Sequence, residues 1–143
     1  MEKKILIVDD EPAICDMLEK AFSDAGYIVL TACSGEEALE LLRKGNVQVM
    51  FLDLQLPGMN GLELCRQIRK DHPIACIYAM TGYASLFSLA DCREAGFDDY
   101  FTKPIHLGVL FNAAKDAFNK LNRWKNPSKR SGSTSSPPTE RQS

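Results

Sequence analysis

No stretch of the 143-residue sequence is long and apolar enough to span a bilayer as a helix. The apolar run after Met1-Glu2-Lys3-Lys4 is only four residues, too short for an export segment. The expectation is a cytoplasmic protein without membrane attachment. Cysteine is present but unpatterned: Cys15, Cys33, Cys65, Cys76 and Cys92 include no C-x-x-C pair, which excludes the close-spaced zinc and redox sites. They read as reduced thiols serving as small apolar residues. Charge of neither sign dominates. With 17 basic and 19 acidic side chains the net charge is −2, which argues against a nucleic-acid binder held by electrostatics. A G-x-x-x-x-G-K-[ST] loop is absent, so that kind of nucleotide cradle is excluded.

What is present is an ordinary globular composition, 45% hydrophobic and 25% charged, at a length that suits one domain. Residues 126–143 differ. They are rich in Ser, Pro and Thr, carry Lys129, Arg130 and Arg141 against Glu140, and lack apolar periodicity. They are expected to form a flexible tail or a truncated linker. Residues 1–125 then form the domain, and the acidic excess lies there.

Within that domain, short apolar runs alternate with helix-like segments. Ile5–Val8, Tyr27–Ala32, Val47–Leu52, Ile74–Met80 and Asp99–Thr102 read as strands. Helices are expected over Ala13–Ala25 behind Pro12, Gly35–Lys44, a segment from Leu62 through Ile68, Ala84–Ala95, and His106–Trp124, with Trp124 covering the last helix end. Ser34 and Glu37 have the spacing of a capping box. Strands apolar nearly throughout, each followed by a helix, imply a parallel sheet covered on both faces. Right-handed crossovers make this an α/β doubly wound five-stranded sheet with five helices.

In such sheets ligands bind beyond the carboxyl ends of the strands. Asp9, Asp10 and Glu11 follow the first strand, Asp53 the third, Thr81 the fourth and Lys103 the fifth. Each acid alone has a plain reading as a solvated cap or turn residue. Together they bring carboxylates, a hydroxyl and an ammonium to one edge. Clustered carboxylates raise one another's pKa unless a cation relieves them. Magnesium accepts one or two carboxylates plus phosphate oxygens. A carboxylate can also attack a phosphoryl group, whose charged oxygens a metal and a lysine stabilise. The set reads as a phosphoryl-transfer site.

The runs Ile5-Leu6-Ile7-Val8-Asp9-Asp10-Glu11, Leu52-Asp53 through Pro57-Gly58-Met59-Asn60-Gly61, Met80-Thr81-Gly82 and Tyr100-Phe101-Thr102-Lys103-Pro104 resemble the receiver domain of bacterial two-component response regulators. The resemblance covers roughly residues 3–123. It implies a flavodoxin-like sheet of order 2-1-3-4-5. It implies that Asp53 is the phosphoacceptor and that Mg2+ is held by Asp10, Asp53 and the Gln55 carbonyl, with Asp9 acting partly through water. By the same resemblance Thr81 and Tyr100 are switch residues, Lys103 pairs with the phosphoryl group, and the Lys103–Pro104 peptide is cis. The Gln55 side chain and Tyr83 would border the pocket and bear on the phosphoryl lifetime.

The implied partners are a sensor histidine kinase or phosphotransfer protein and a downstream effector or missing output domain. Contact would run through the face from about Ala84 to Leu121, which could also form a homodimer; no direct nucleic-acid contact is expected. The protein would catalyse its own phosphorylation and slow dephosphorylation, unlike a conventional enzyme. The rival is a phosphorylation-independent binding module on the same fold. Retention of Asp10, Asp53, Thr81 and Lys103 argues against it.

Overall fold

The computed structural model describes residues 2–82 and 89–125. In chain order the elements are β1 (Lys4–Val8), α1 (Pro12–Asp24), β2 (Ile28–Ala32), α2 (Gly35–Lys44), β3 (Val49–Asp53), α3 (Gly61–Asp71), β4 (Cys76–Thr81), α4 (Leu89–Ala95), β5 (Asp99–Thr102) and α5 (Leu107–Lys125). The strands form one sheet in the order β2-β1-β3-β4-β5, with every pairing parallel. The expected doubly wound topology is the one observed.

The sheet is central because its strands are apolar on both faces. Side chains alternate across a strand. Accordingly Ile5, Ile7, Val49 and Phe51 pack with Leu18 and Phe22 of α1 and with Leu110 and Ala114 of α5. Their neighbours Leu6, Val8, Met50 and Leu52 pack with Ala38 of α2, Leu64 of α3 and Cys92 of α4. Two helices thus cover one face and three the other. All five residues of β3 and all six of β4 are buried, which a parallel sheet sandwiched between helix layers requires.

Helix starts follow local chemistry. Pro12 occupies the first position of α1. The Ser34 hydroxyl accepts from the Glu37 N–H at 3.2 Å, but the reciprocal half of the expected capping box is shifted: the Glu37 carboxylate accepts from Cys33 N at 2.8 Å. A complete box forms instead at Asn60 and Glu63, at the head of α3.

Two boundaries differ from expectation in a way that matters. β3 runs through Asp53 and β4 through Thr81, because the ladder continues past the last apolar residue, pairing Asp53 with Met80 and Thr81 with Thr102. Both are therefore held by sheet backbone, not by loops. At the other end Ile74, expected in β4, precedes the strand and is exposed. Trp124, expected to cover the end of α5, is 60% exposed. Tyr83, the expected helix start at Ala84 and the tail 126–143 lie outside the described residues.

One polar clasp ties the second half together. Arg69 donates from Nε to Gly96 O at 2.8 Å and from Nη1 to Ala75 O at 2.6 Å and Pro73 O at 3.0 Å. Its Nη2 meets Asp98 Oδ2 at 2.9 Å, and that oxygen also accepts Ile77 N at 2.8 Å. A single guanidinium thus joins α3, the approach to β4 and the turn after α4.

Candidate functional site

The site lies at the carboxyl edge of the sheet, where the adjacent strands β1 and β3 end. Asp9 directly follows β1 and is fully buried, Asp53 ends β3 and is 4% exposed, and Thr81 ends β4 at 1%. Asp10 is exposed at the rim. Buried acids need partners, and Asp9 has them. Its Oδ1 accepts Glu11 N at 2.9 Å, and its Oδ2 accepts the Lys103 ammonium at 2.9 Å. Its carbonyl accepts the Cys15 thiol at 3.2 Å. Asp53 Oδ1 accepts Gln55 N at 3.2 Å, and Oδ2 lies 3.4 Å from Lys103 Nζ.

The electrostatics follow from this packing. Burial raises the Asp53 pKa, and the nearby Asp9 carboxylate raises it further. The Gln55 N–H and the Lys103 ammonium oppose them, leaving it at about 6. Repulsion between acids was the expected cause; desolvation is the larger one. For Lys103 burial opposes the charge, but the hydrogen bond to Asp9 and the charges of Asp53, Asp9 and Glu11 outweigh it, so its pKa is raised. The lysine is firmly an ammonium ion.

The residues expected to form the site converge. Asp9, Asp10 and Asp53 each offer one ligand oxygen, all within 4.8 Å of one another. Hard carboxylate oxygens, partly solvated and opposed by their own burial, fit Mg2+. Gln55 is exposed and reaches Asp53 through its backbone. Thr81 O accepts Lys103 N at 2.9 Å, tying the ends of β4 and β5. The Lys103–Pro104 peptide is cis. Tyr100 lies one strand from Ala79 and is partly buried against the core shared with α2, α3 and α4.

Two contributors were not assigned roles from sequence. Glu11 meets Lys103 Nζ at 3.4 Å. Its signal was an acid in front of Pro12 where a short capping residue is usual, and its side chain makes no capping bond. Gly61 presses on the acceptor strand: a β-carbon there would stand 2.5 Å from Asp53 O. Its signal was the last glycine of the Pro57–Gly61 turn.

A flavodoxin-like sheet with an acidic trio and a lysine at its carboxyl edge defines the class of phosphoryl-accepting signalling domains. Residues 5–115 match the family described as response regulator receiver domain. The alkaline phosphatase synthesis transcriptional regulatory protein PhoP of Bacillus subtilis (strain 168) is 39% identical over 104 residues, 73% of this chain and 43% of that protein. The chain thus spans less than half the length of that relative. A CheY-like receiver domain protein from Methanospirillum hungatei JF-1 superposes with TM-score 0.80 at 31% identity, covering 86% of this chain and 98% of that one. The response regulator TrrA from Thermotoga maritima, solved with Mg2+-BeF, superposes with TM-score 0.73 at 36% identity, covering 80% and 98%. The chain belongs to the response regulator receiver domain family and is a receiver of the two-component signalling type. No helix among the described residues is long and apolar enough to cross a membrane.

Proposed function

We propose that Asp53 accepts a phosphoryl group from the phosphohistidine of a sensor kinase or phosphotransfer protein, in a magnesium-dependent reaction. The observation that carries this reading is the placement of Asp53 at the end of β3 within 4.8 Å of Asp9 and Asp10 ligand oxygens and 3.4 Å from an ammonium group. An Asp53 carboxylate oxygen forms the new O–P bond as the P–N bond to the donor imidazole breaks. Asp9, Asp10, Asp53 and the Gln55 carbonyl would hold Mg2+, which supplies charge neutralisation for the transferred oxygens. The Lys103 ammonium, 3.4 Å from Asp53 Oδ2, would help stabilise the charge on the same oxygens. The Thr81 hydroxyl provides a neutral hydrogen-bonding group at the end of β4.

Residues 1–125 are the receiver unit in this reading, and 126–143 a tail or linker. The output face comprises α4, β5 and α5. A groove of about 350 Å³ lined by Tyr100, Phe101, Thr102, His106, Val109 and Leu110 supports it, as do the exposed apolar residues Leu89 and Val109. An effector protein, an output domain or a second receiver would bind there. Phosphorylation can bias that face only through unequal affinity for its two states.

The test is incubation with acetyl phosphate and Mg2+ followed by intact mass measurement. A gain of one phosphoryl group that requires Mg2+ and is lost in Asp53→Asn supports the reading. Normal Mg2+ binding without any gain would favour the phosphorylation-independent module.

A further inference from the structure

Lys103 has three ammonium hydrogens and three carboxylates around it: Asp9 at 2.9 Å, Asp53 at 3.4 Å and Glu11 at 3.4 Å. The first two also belong to the cluster that fits a divalent cation, whereas Glu11 does not. A dication and an ammonium cannot both sit close to the Asp9 and Asp53 oxygens without strong like-charge repulsion. If those carboxylates turn to the metal, the ammonium must move outward. Of the ammonium's three carboxylate partners Glu11 is the one at the rim: its side chain is 63% exposed, against 0% for Asp9 and 6% for Asp53. Its backbone is fixed by the Asp9 Oδ1 hydrogen bond and by the start of α1. It occupies an N-cap position where the usual short side chain would bond the helix, yet its own makes no such bond.

We propose that Glu11 is a positioning residue for Lys103: it receives the ammonium when Asp9 and Asp53 bind Mg2+ and holds it at the rim, ready for the incoming phosphoryl oxygens. This rests on the reading that the acidic trio binds Mg2+. The consequence is a positive coupling between Glu11 and Lys103 in metal affinity. Without Glu11, the displaced ammonium loses its one carboxylate partner outside the acidic trio among the described residues.

The experiment is a double-mutant cycle on Mg2+ affinity, measured calorimetrically with wild type, Glu11→Gln, Lys103→Met and the double variant. Glu11→Gln should weaken Mg2+ binding by about two- to fivefold, the scale of a partly exposed ion pair. In the Lys103→Met background the same substitution should change it by less than about 1.5-fold. The lysine side-chain 15N resonance should also shift on Mg2+ addition in wild type, and shift less in Glu11→Gln. An equal loss in both backgrounds would mean that Glu11 acts on the metal by its own charge, and would overturn the proposal. So would an unchanged affinity in Glu11→Gln. Wild type that binds no Mg2+ would overturn the magnesium reading and this one together. Wild type that binds normally with a cycle showing no coupling overturns only this one.

Discussion

The Arg69 side chain occupies the space that a β-carbon on Gly96 would need: such a carbon would stand 2.8 Å from Arg69 Cγ and 3.0 Å from Nε. Gly96 also has φ +108, a conformation L side chains rarely adopt. The glycine therefore lets the turn after α4 close over the guanidinium, whose Nε bonds the Gly96 carbonyl.

From this, Gly96→Ala should destabilise the domain by roughly 2–3 kcal/mol, combining backbone strain with overpacking. Arg69→Ala should cost a similar amount, because the buried Ala75 carbonyl loses its guanidinium donor and Asp98 its partner. Urea unfolding of the two single variants and the double variant checks this. The two effects should fall well short of additive, since both break the same clasp.

Gly61 is a second close approach, this time at the acceptor strand. A β-carbon would lie 2.5 Å from Asp53 O and 2.7 Å from Leu54 Cα, both backbone atoms that cannot rotate away. Gly61 N also donates to Leu54 O at 3.0 Å. Gly61→Ala should push the Asp53–Leu54 peptide, lowering stability by about 1–3 kcal/mol and slowing phosphoryl gain from acetyl phosphate. A variant with the wild-type labelling rate would show that the contact does not hold Asp53 in place.

The thiols supply a third expectation. Burial lifts the Cys15 pKa to about 11 and that of Cys65 to about 12, and it also raises Cys76 and Cys92. Cys33 alone of the five is exposed. Thiolates are the reactive form. At about pH 8 an aromatic disulfide reagent should therefore add rapidly to one cysteine in the native protein and to all five in denaturant. Loss of the fast phase in Cys33→Ser identifies it. Two or more fast additions to the native protein would contradict the packing described.

The strand order and the converging acids were legible in the sequence because both depend on local pattern. Continuous apolar runs mark buried parallel strands, and in a parallel sheet the residues after them arrive at one edge. Strand ends were less legible. Asp53 and Thr81 continue the ladder although they are polar, because hydrogen bonding to the neighbouring strand, not apolarity, decides where a strand stops. The Arg69 clasp was not legible, and of the Lys103–Glu11 pair only the shared sheet edge was, not the contact itself. They join residues 27 and 92 positions apart; a lone arginine on a helix reads as a solvated face, and a glutamate ahead of Pro12 as a solvated cap. The Glu37 contact moved one residue from its expected partner for a similar reason: a capping box needs the backbone N–H directions, which spacing does not specify.

Asp53 gives the pH dependence its sign. In the metal-free fold its pKa is about 6, raised from 3.8 by burial and then by Asp9. A carboxyl raised on folding favours the native state while protonated. That contribution is complete below the unfolded value near 3.8 and is lost as pH rises through about 6. Above that the ionised, buried carboxylate costs roughly 2 kcal/mol. Asp53→Asn removes this charge while keeping an oxygen for the Gln55 N–H. In chelator at about pH 8 the variant should be more stable than wild type by roughly 1–2 kcal/mol, some gain being offset by the lost Lys103 contact. The difference should shrink toward zero by about pH 4. Saturating Mg2+ should reverse the order at about pH 8, because a cation that binds the folded wild type more tightly than a variant lacking the Asp53 carboxylate adds more stability by mass action. Urea midpoints across pH, with chelator or Mg2+, decide it: a variant less stable than metal-free wild type at about pH 8 would mean that the Lys103–Asp53 pair outweighs the burial of Asp53.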